Sequence, residues 1–148
     1  MSDVENPFVI ERVYQATLSR VWSAITDKSE MKSWYFDLAE FIAEPGFEFS
    51  FYGGTEEKQY LHRCIIKEVI PQKKLSYSWR YEGYAGDSLV TFELFETDTP
   101  GETRLRLTHE GLGSFPKENP DFRPVNFKEG WTHIIGTALK EYLGGKEG

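Results

Sequence analysis

Two histidines, one cysteine and a few charges fall where a β-sheet would hide them, and these residues have chemistry to offer. His62 and Cys64 stand two apart in Tyr60 to Ile70, a stretch whose apolar residues alternate. Residues two apart on a strand share a face, so this imidazole and thiol point the same way as Ile66 and Ile70. His109 shares a face with Thr103, Leu105 and Leu107 in the stretch Glu102 to Glu110. Arg12 lies among Phe8, Ile10, Tyr14 and Ala16, and Glu68 interrupts the inward series after Ile66. A bulge or local twist is expected at Glu68. Burying an unpaired charge is costly. Arg12, His62, Glu68 and His109 are therefore expected to meet one another, tyrosine hydroxyls or the polar end of a ligand, or else to sit near strand ends in water.

The reactive possibilities narrow quickly. Zinc takes three or four protein ligands, His62 and Cys64 offer two, and no further Cys or His lies at ligand spacing, so no metal is expected. No cofactor is expected either. A Gly-x-Ser-x-Gly turn is absent from the sequence, which removes that form of serine nucleophile. Cys64 with His62 or His109 would form a thiolate–imidazole pair. Against that stands the commoner role of a buried cysteine, a small apolar side chain in a β core. No catalytic set is named.

These side chains need a scaffold, and hydrophobic periodicity supplies one. Phe8 to Ala16 alternates as a strand, and Thr17 can cap a short helix, LSRVWSAIT. Asp27 and Ser29 offer a break and a second cap before EMKSWYF. Leu38 to Glu44 is expected to be a strand, closed by Pro45-Gly46. In the next, Phe47, Phe49 and Phe51 face inward against Glu48, Ser50 and Tyr52. Gly53-Gly54 and TEEKQ make a hairpin loop, then Tyr60 to Ile70 ends at Pro71, which cannot donate to a ladder. Leu75, Tyr77, Trp79 and Tyr81 form one face of the following strand. Val90, Phe92 and Leu94 form that of Ser88 to Glu96, and Glu102 to Glu110 completes the set. The chain is thus expected to fold as one α+β domain, residues 1–148, with a seven-stranded antiparallel sheet.

The last stretch, Asn126 to Leu143, switches period. Phe127, Trp131, Ile134, Ile135, Ala138, Leu139 and Tyr142 fall on one side of a helical wheel. His133 falls on the polar side, in solvent, while Gly136 borders the apolar arc and allows close approach to a strand or leaves room beneath. Only this helix is long enough to cover an aromatic sheet face. The segment GSFPKENPDFRPV before it, Gly113 to Val125, is stiffened by Pro116, Pro120 and Pro124 and carries two rings that look exposed, Phe115 and Phe122. It is expected to border or lid the space at the helix start, or to serve as a plain crossover.

Composition excludes several partners. The chain has 148 residues, 39% hydrophobic and 16% aromatic, with a formal net charge of -7 and no basic block. Nucleic acid and anionic membrane surfaces have no cationic face to meet. No apolar run is long enough to span a bilayer. MSDVENPFVI lacks the parts of a signal peptide, and a single cysteine allows no intrachain disulfide. A cytoplasmic location is expected.

Taken in order, FVIERVYQA, VWSAITD, the Trp34 segment, PGFEFSF, KEVIPQKKLSYSW, VTFEL, TRLRLTHEGL and EGWTHIIGTALKEYL resemble the SRPBCC (START-like, helix-grip) superfamily. Within it they are similar to the group named after the activator of heat shock protein 90 ATPase. The resemblance covers roughly Phe8 to Gly145. It implies a β-α-α-β6-α order, a curved seven-stranded sheet gripping the C-terminal helix, and often an elongated apolar cavity between them. The alternation pattern puts Phe47, Phe49, Phe51, Tyr77, Trp79, Phe92, Leu94, Leu105, Leu107, Trp131, Ile135 and Tyr142 at that interface, with Arg12, His62 and His109 as its polar members.

Three functions are compatible with such a container. The first is binding of a small hydrophobic or amphipathic molecule. The second is a chaperone-contacting module with a packed core, and a homodimer contact belongs to the same class. The third is a cyclase- or hydrolase-type enzyme, with His109 or Glu68 doing acid–base work, since some helix-grip relatives are cyclases. In the eukaryotic activators a separate N-terminal chaperone-binding domain precedes this one, and these 148 residues are expected to lack it. The binding reading is therefore preferred, and enzyme activity is not expected.

Overall fold

The computed structural model describes residues 7–35, 38, 40–54, 59–116, 118–119, 122 and 124–145. The chain runs β1 (Phe8–Tyr14), α1 (Leu18–Thr26), α2 (Lys28–Trp34), β2 (Glu48–Gly54), β3 (Gln59–Ile70), β4 (Lys74–Tyr81), β5 (Ser88–Glu96) and β6 (Thr103–Glu110). A 3-10 turn (Leu112–Ser114) follows. The chain then enters α3 (Pro124–His133), a π-helical turn (Ile134–Ala138) and α4 (Leu139–Gly145). The sheet is antiparallel with strand order β1-β6-β5-β4-β3-β2. Thr17 and Asp27 cap the two short helices, their side chains accepting from Arg20 N–H at 3.2 Å and Ser29 N–H at 2.9 Å. These caps satisfy amides that the first helical turn leaves without partners.

Among the described residues the sheet has six strands, not seven. Among the described residues of 38–44 no strand forms. Leu38 and Phe41 are buried while Ile42 is 46% exposed, a spacing of three where a strand needs two. The backbone turns instead, Glu44 N–H reaching the Ile42 carbonyl at 2.8 Å. Phe41 still packs inward, edge-on to Phe49 at 5.1 Å. Gly53 and Gly54 belong to β2 rather than to the loop, since Gly54 opposes Gln59. The loop tip at 55–58 lies outside the described residues. The irregularity at Glu68 is present: the register of β3 against β4 shifts between Ile66 and Glu68. Glu68 leaves the inner face there and pairs with Lys74 at 3.0 Å.

The C-terminal helix buries Phe127, Trp131, Ile135, Leu139 and Leu143 against the sheet and α1–α2. That is a strict four-residue spacing. At 3.6 residues per turn each step overshoots by about 40°, so five such residues would drift about 160° around a regular α-helix. The π-turn inserts one extra residue, takes back about 100° of that drift, and keeps the stripe facing the sheet. Tyr14 fixes this irregularity, because its buried hydroxyl donates to the Ile135 carbonyl at 2.6 Å. Gly136 sits in the same turn, where a Cβ would lie 3.3 Å from Arg12 Nε. The glycine gives room to an arginine side chain rather than to a strand backbone.

Tyr14→Phe is expected to destabilise the protein by about 1–2 kcal/mol, leaving the Ile135 carbonyl buried without its donor. Urea unfolding measures this. A change within about 0.5 kcal/mol would show that the helix holds the π-turn without the tyrosine.

Candidate functional site

The inner face of the sheet and the C-terminal helix meet in a continuous set of rings. Phe49 meets Tyr77 edge-on at 5.0 Å, Phe51 meets Trp79 at 5.8 Å, and Trp131 contacts Trp79 at 5.5 Å and Phe92 at 6.2 Å. The cross-strand register produces this grouping by placing Phe51 opposite His62, His62 opposite Tyr81, and Phe92 opposite Leu107. Edge-to-face and offset contacts at these distances suit aromatic quadrupoles.

Polar atoms are threaded through the rings. His109 is fully buried, with Nε2 2.8 Å from Ser88 Oγ and Nδ1 accepting from Trp131 Nε1–H at 2.9 Å. Ser88 Oγ has one proton and gives it to the Trp79 carbonyl at 2.8 Å. Nε2 must therefore carry the imidazole proton, and the ring is the neutral Nε2–H tautomer. This direction argues against a serine–histidine nucleophile, because the imidazole donates to the hydroxyl instead of accepting from it. His62 lies flat on Phe51 at 4.5 Å, and its Nδ1–H donates to the Tyr60 carbonyl at 3.0 Å. The Tyr35 and Tyr77 hydroxyls meet at 2.7 Å.

Desolvation sets the charge state of these groups. Burial, with a smaller repulsion from His62, pushes His109 down to about 3, and burial pushes His62 down to about 4. Both imidazoles are neutral at neutral pH. Burial raises the Cys64 thiol, so it stays protonated and is a poor nucleophile. Burial likewise holds Tyr35 and Tyr77 in the neutral phenol form. Among the described residues no cluster of three or more His, Cys, Asp or Glu could hold a metal ion. Among the described residues the interior offers hydrogen bonds and ring faces, not charge.

The residues named from the pattern fall into three groups. Phe49, Phe51, His62, Tyr77, Trp79, Phe92, Leu94, Leu105, Leu107, His109, Trp131 and Ile135 are buried together on the inner face. Phe47 and Arg12 lie at its margins. Phe47 is half-buried beside Phe41 at 6.5 Å. Arg12 is exposed at the β1 edge, its Nη1–H donating to the Glu11 carbonyl at 2.7 Å. Tyr142 lies elsewhere. Its hydroxyl donates to Glu30 at 2.9 Å and its ring carries the Arg20 guanidinium at 5.1 Å, so it fastens the helix to α1–α2. Leu143, one residue on, takes the inward place because the π-turn advances the register.

Further residues join the same interior. Ser88 precedes Val90 by two and was legible from the same alternation. Tyr35 becomes visible only when α2 is folded over the sheet. Phe115 and Phe122, which looked exposed in sequence, are both 2% exposed. Phe122 stacks on Tyr81 at 4.5 Å, and Phe115 stacks on Phe127 at 5.7 Å. With Tyr60 and Tyr84 they close one end of the sheet. Asn119 belongs to the same closure, its side-chain amide donating to the Tyr60 hydroxyl at 3.3 Å.

Gly86 lets the β4–β5 loop approach this closure. Its φ is +108, and a Cβ there would lie 2.6 Å from a Phe115 ring carbon and 2.7 Å from the Ser114 carbonyl oxygen. Gly86→Ala is expected to cost about 1–3 kcal/mol by overpacking a left-handed position. Chemical denaturation is the measurement. An unchanged midpoint would show that the closure yields without cost.

The chain is similar to known proteins over most of its length. The family model described as Activator of Hsp90 ATPase homolog 1-like protein matches residues 15–144. The mouse (Mus musculus) protein Activator of 90 kDa heat shock protein ATPase homolog 2 is 24% identical over 113 residues. That alignment covers 76% of this chain and 32% of the mouse protein, so the chain spans about a third of that relative. Among solved structures, protein MLL2253 from Mesorhizobium loti is 26% identical with a TM-score of 0.74, covering 94% of this chain and 97% of that one. CalU16 from Micromonospora echinospora is 25% identical with a TM-score of 0.69, covering 93% and 75%. Protein CV1439 from Chromobacterium violaceum, at 21% identity and a TM-score of 0.75 over 93% and 96%, shares the fold. With its own sheet, helix and nearly its whole length matched, the chain belongs to the Activator of Hsp90 ATPase homolog 1-like family of the SRPBCC superfamily.

Proposed function

We propose that this protein binds a small hydrophobic or amphipathic molecule between the sheet and the C-terminal helix. The observation that carries the reading is the neutral polar set held among the rings. Packing alone does not call for a Tyr35–Tyr77 hydroxyl pair, two uncharged imidazoles and an indole N–H in one apolar interior. A ligand with an apolar body and one or two uncharged polar groups matches that lining. Phe49, Phe51, Trp79, Phe92, Leu94, Leu107 and Ile135 supply the apolar walls and His62 and Tyr77 the polar points, while His109 and Trp131 line the space with their ring faces, their nitrogens being paired with each other and with Ser88. Phe47 and Arg12 lie at opposite margins of the interior, beside β2 and on β1. Anionic ligands are disfavoured inside, because among the described residues no cation is buried there to meet them.

Phe115 and Phe122 form the closure that a ligand passes. Native mass spectrometry of protein purified from cells tests the binding reading directly, the expected result being a co-purified small molecule. A ligand-free spectrum, together with no Trp fluorescence change on titration with an apolar dye, would refute it. Hydrogen exchange of the segment 112–119 is expected to slow on binding, and an unchanged rate would remove its role as a lid.

A second reading rests on the mouse relative, whose name states an activator of a chaperone ATPase. In that reading the surface contacts the chaperone and the interior is simply core. Added protein would then raise the ATPase rate of Hsp90 in a purified assay, whereas the ligand reading leaves that rate unchanged.

A further inference from the structure

A second recess lies on the opposite, solvent-facing side of the sheet. It is a depression of about 360 Å³ over β2, β3 and β4, lined by Glu48, Ser50, Arg63, Ile65, Arg80 and Glu82, with the otherwise buried Phe49 and Cys64 between them. We propose that it is a small oxyanion subsite, with Arg63 and Arg80 gripping a carboxylate or phosphate group carried by a small molecule. The register aligns Ser50, Arg63 and Arg80 in one row across the three strands: Ser50 opposes Arg63, and Arg63 opposes Arg80. Like charges directly opposite in a sheet repel, so the fold gains nothing from this pairing. Departures from such local rules concentrate at functional sites.

The lining holds two arginines and two glutamates, and the two arginines stand side by side across β3 and β4. Glu82 meets Arg63 at 2.9 Å, but both side chains are half exposed, at 55% and 50%. Exposed pairs of that kind are weak and readily exchanged. Arg80 has no carboxylate partner among the described residues. Glu48 also borders the recess, on the β2 side, and limits it to a compact group at the arginine end. Two guanidiniums side by side match the oxygens of a carboxylate or phosphate, which each can take in bidentate fashion. The Ser50 hydroxyl supplies a further donor. Because Glu82 occupies Arg63 in the free protein, it is a competitor of the ligand.

The test is titration of ¹⁵N-labelled full chain with inorganic phosphate and, separately, with succinate, at ionic strength held constant by sodium chloride. Saturable shifts are expected at Ser50, Arg63 and Arg80, with a Kd on the order of 1 mM for two charge-assisted contacts. The anion that binds tighter names the headgroup. Arg80→Gln is expected to weaken binding at least tenfold, and Glu82→Gln to tighten it several-fold by freeing Arg63. Both substitutions lie on the exposed face, and amide spectra verify that the fold is intact. Shifts no larger than those with chloride alone would overturn the proposal. So would equal binding by the Arg80→Gln variant, or no tightening in Glu82→Gln.

Discussion

Lowering the pH from 7.5 to 4.5 is expected to remove several kcal/mol of folding stability, chiefly through His62 and His109. In the folded protein these imidazoles titrate near 4 and near 3, in each case because burial penalises the charged form. In the unfolded chain they titrate at their ordinary value of about 6.5. Between these limits the unfolded state holds more protons than the folded state, so stability rises with pH. The contribution is fully present above about 6.5. It falls progressively as the pH drops toward 4 and then 3, by up to about 1.4 kcal/mol per pH unit for each histidine. Urea unfolding at closely spaced pH values gives the slope. His62→Phe keeps a ring against Phe51, Trp79 and Tyr81, and is expected to lower that slope between pH 6 and 4.5 by about one proton. An unchanged slope would mean that His62 is charged in the folded state or reaches water.

That dependence was half legible in the sequence. Alternation placed His62 with Cys64 and Ile66, and His109 with Leu105 and Leu107, on the inner face. Periodicity of two is local and survives folding unchanged. It also placed Phe49, Phe51, Tyr77, Trp79 and Phe92 correctly among the buried residues. What alternation does not carry is partnership. The Ser88–His109–Trp131 chain joins two strands and a helix, and the direction of its hydrogen bonds depends on the Trp79 carbonyl, which no pattern reveals.

Periodicity also misled where packing overrode it. Leu38 to Glu44 has enough apolar residues for a strand, yet the buried pair Leu38 and Phe41 is spaced by three, so the backbone turns. Tyr142 sits at an inward position for an unbroken α-helix. One inserted residue at Ile134–Ala138 moved Leu143 into that position and turned Tyr142 toward Glu30 and Arg20. Phe115 and Phe122 looked exposed because proline-rich loops usually lie on the surface, but rings from three separate segments receive them. In each case the missing information was long-range.

Replacing Trp131 is expected to have the largest effect of any single substitution in the interior. Its ring touches Trp79, Phe92, His109 and Tyr35, and its indole N–H satisfies His109 Nδ1. Trp131→Ala removes both contributions and is expected to cost about 3–5 kcal/mol, a large part of the ~5–15 kcal/mol that holds a typical domain folded. Trp131→Phe keeps much of the ring but leaves the buried Nδ1 acceptor unpaired, for about 1–3 kcal/mol. The two variants separate packing from hydrogen bonding. The alanine variant also bears on binding, because the vacated space faces Trp79 and Phe92, the proposed apolar wall. If that space persists, indole refills it and raises the melting temperature of Trp131→Ala while leaving the parent protein unchanged, as a ligand of the folded state must. If indole has no effect, the rings have collapsed into the gap and the interior is a mobile core rather than a preformed container. A loss below about 1 kcal/mol in Trp131→Ala would mean that the ring already borders open space in the parent protein. Each result assigns Trp131 to either the wall of a cavity or the centre of a solid core, the distinction on which the ligand reading depends.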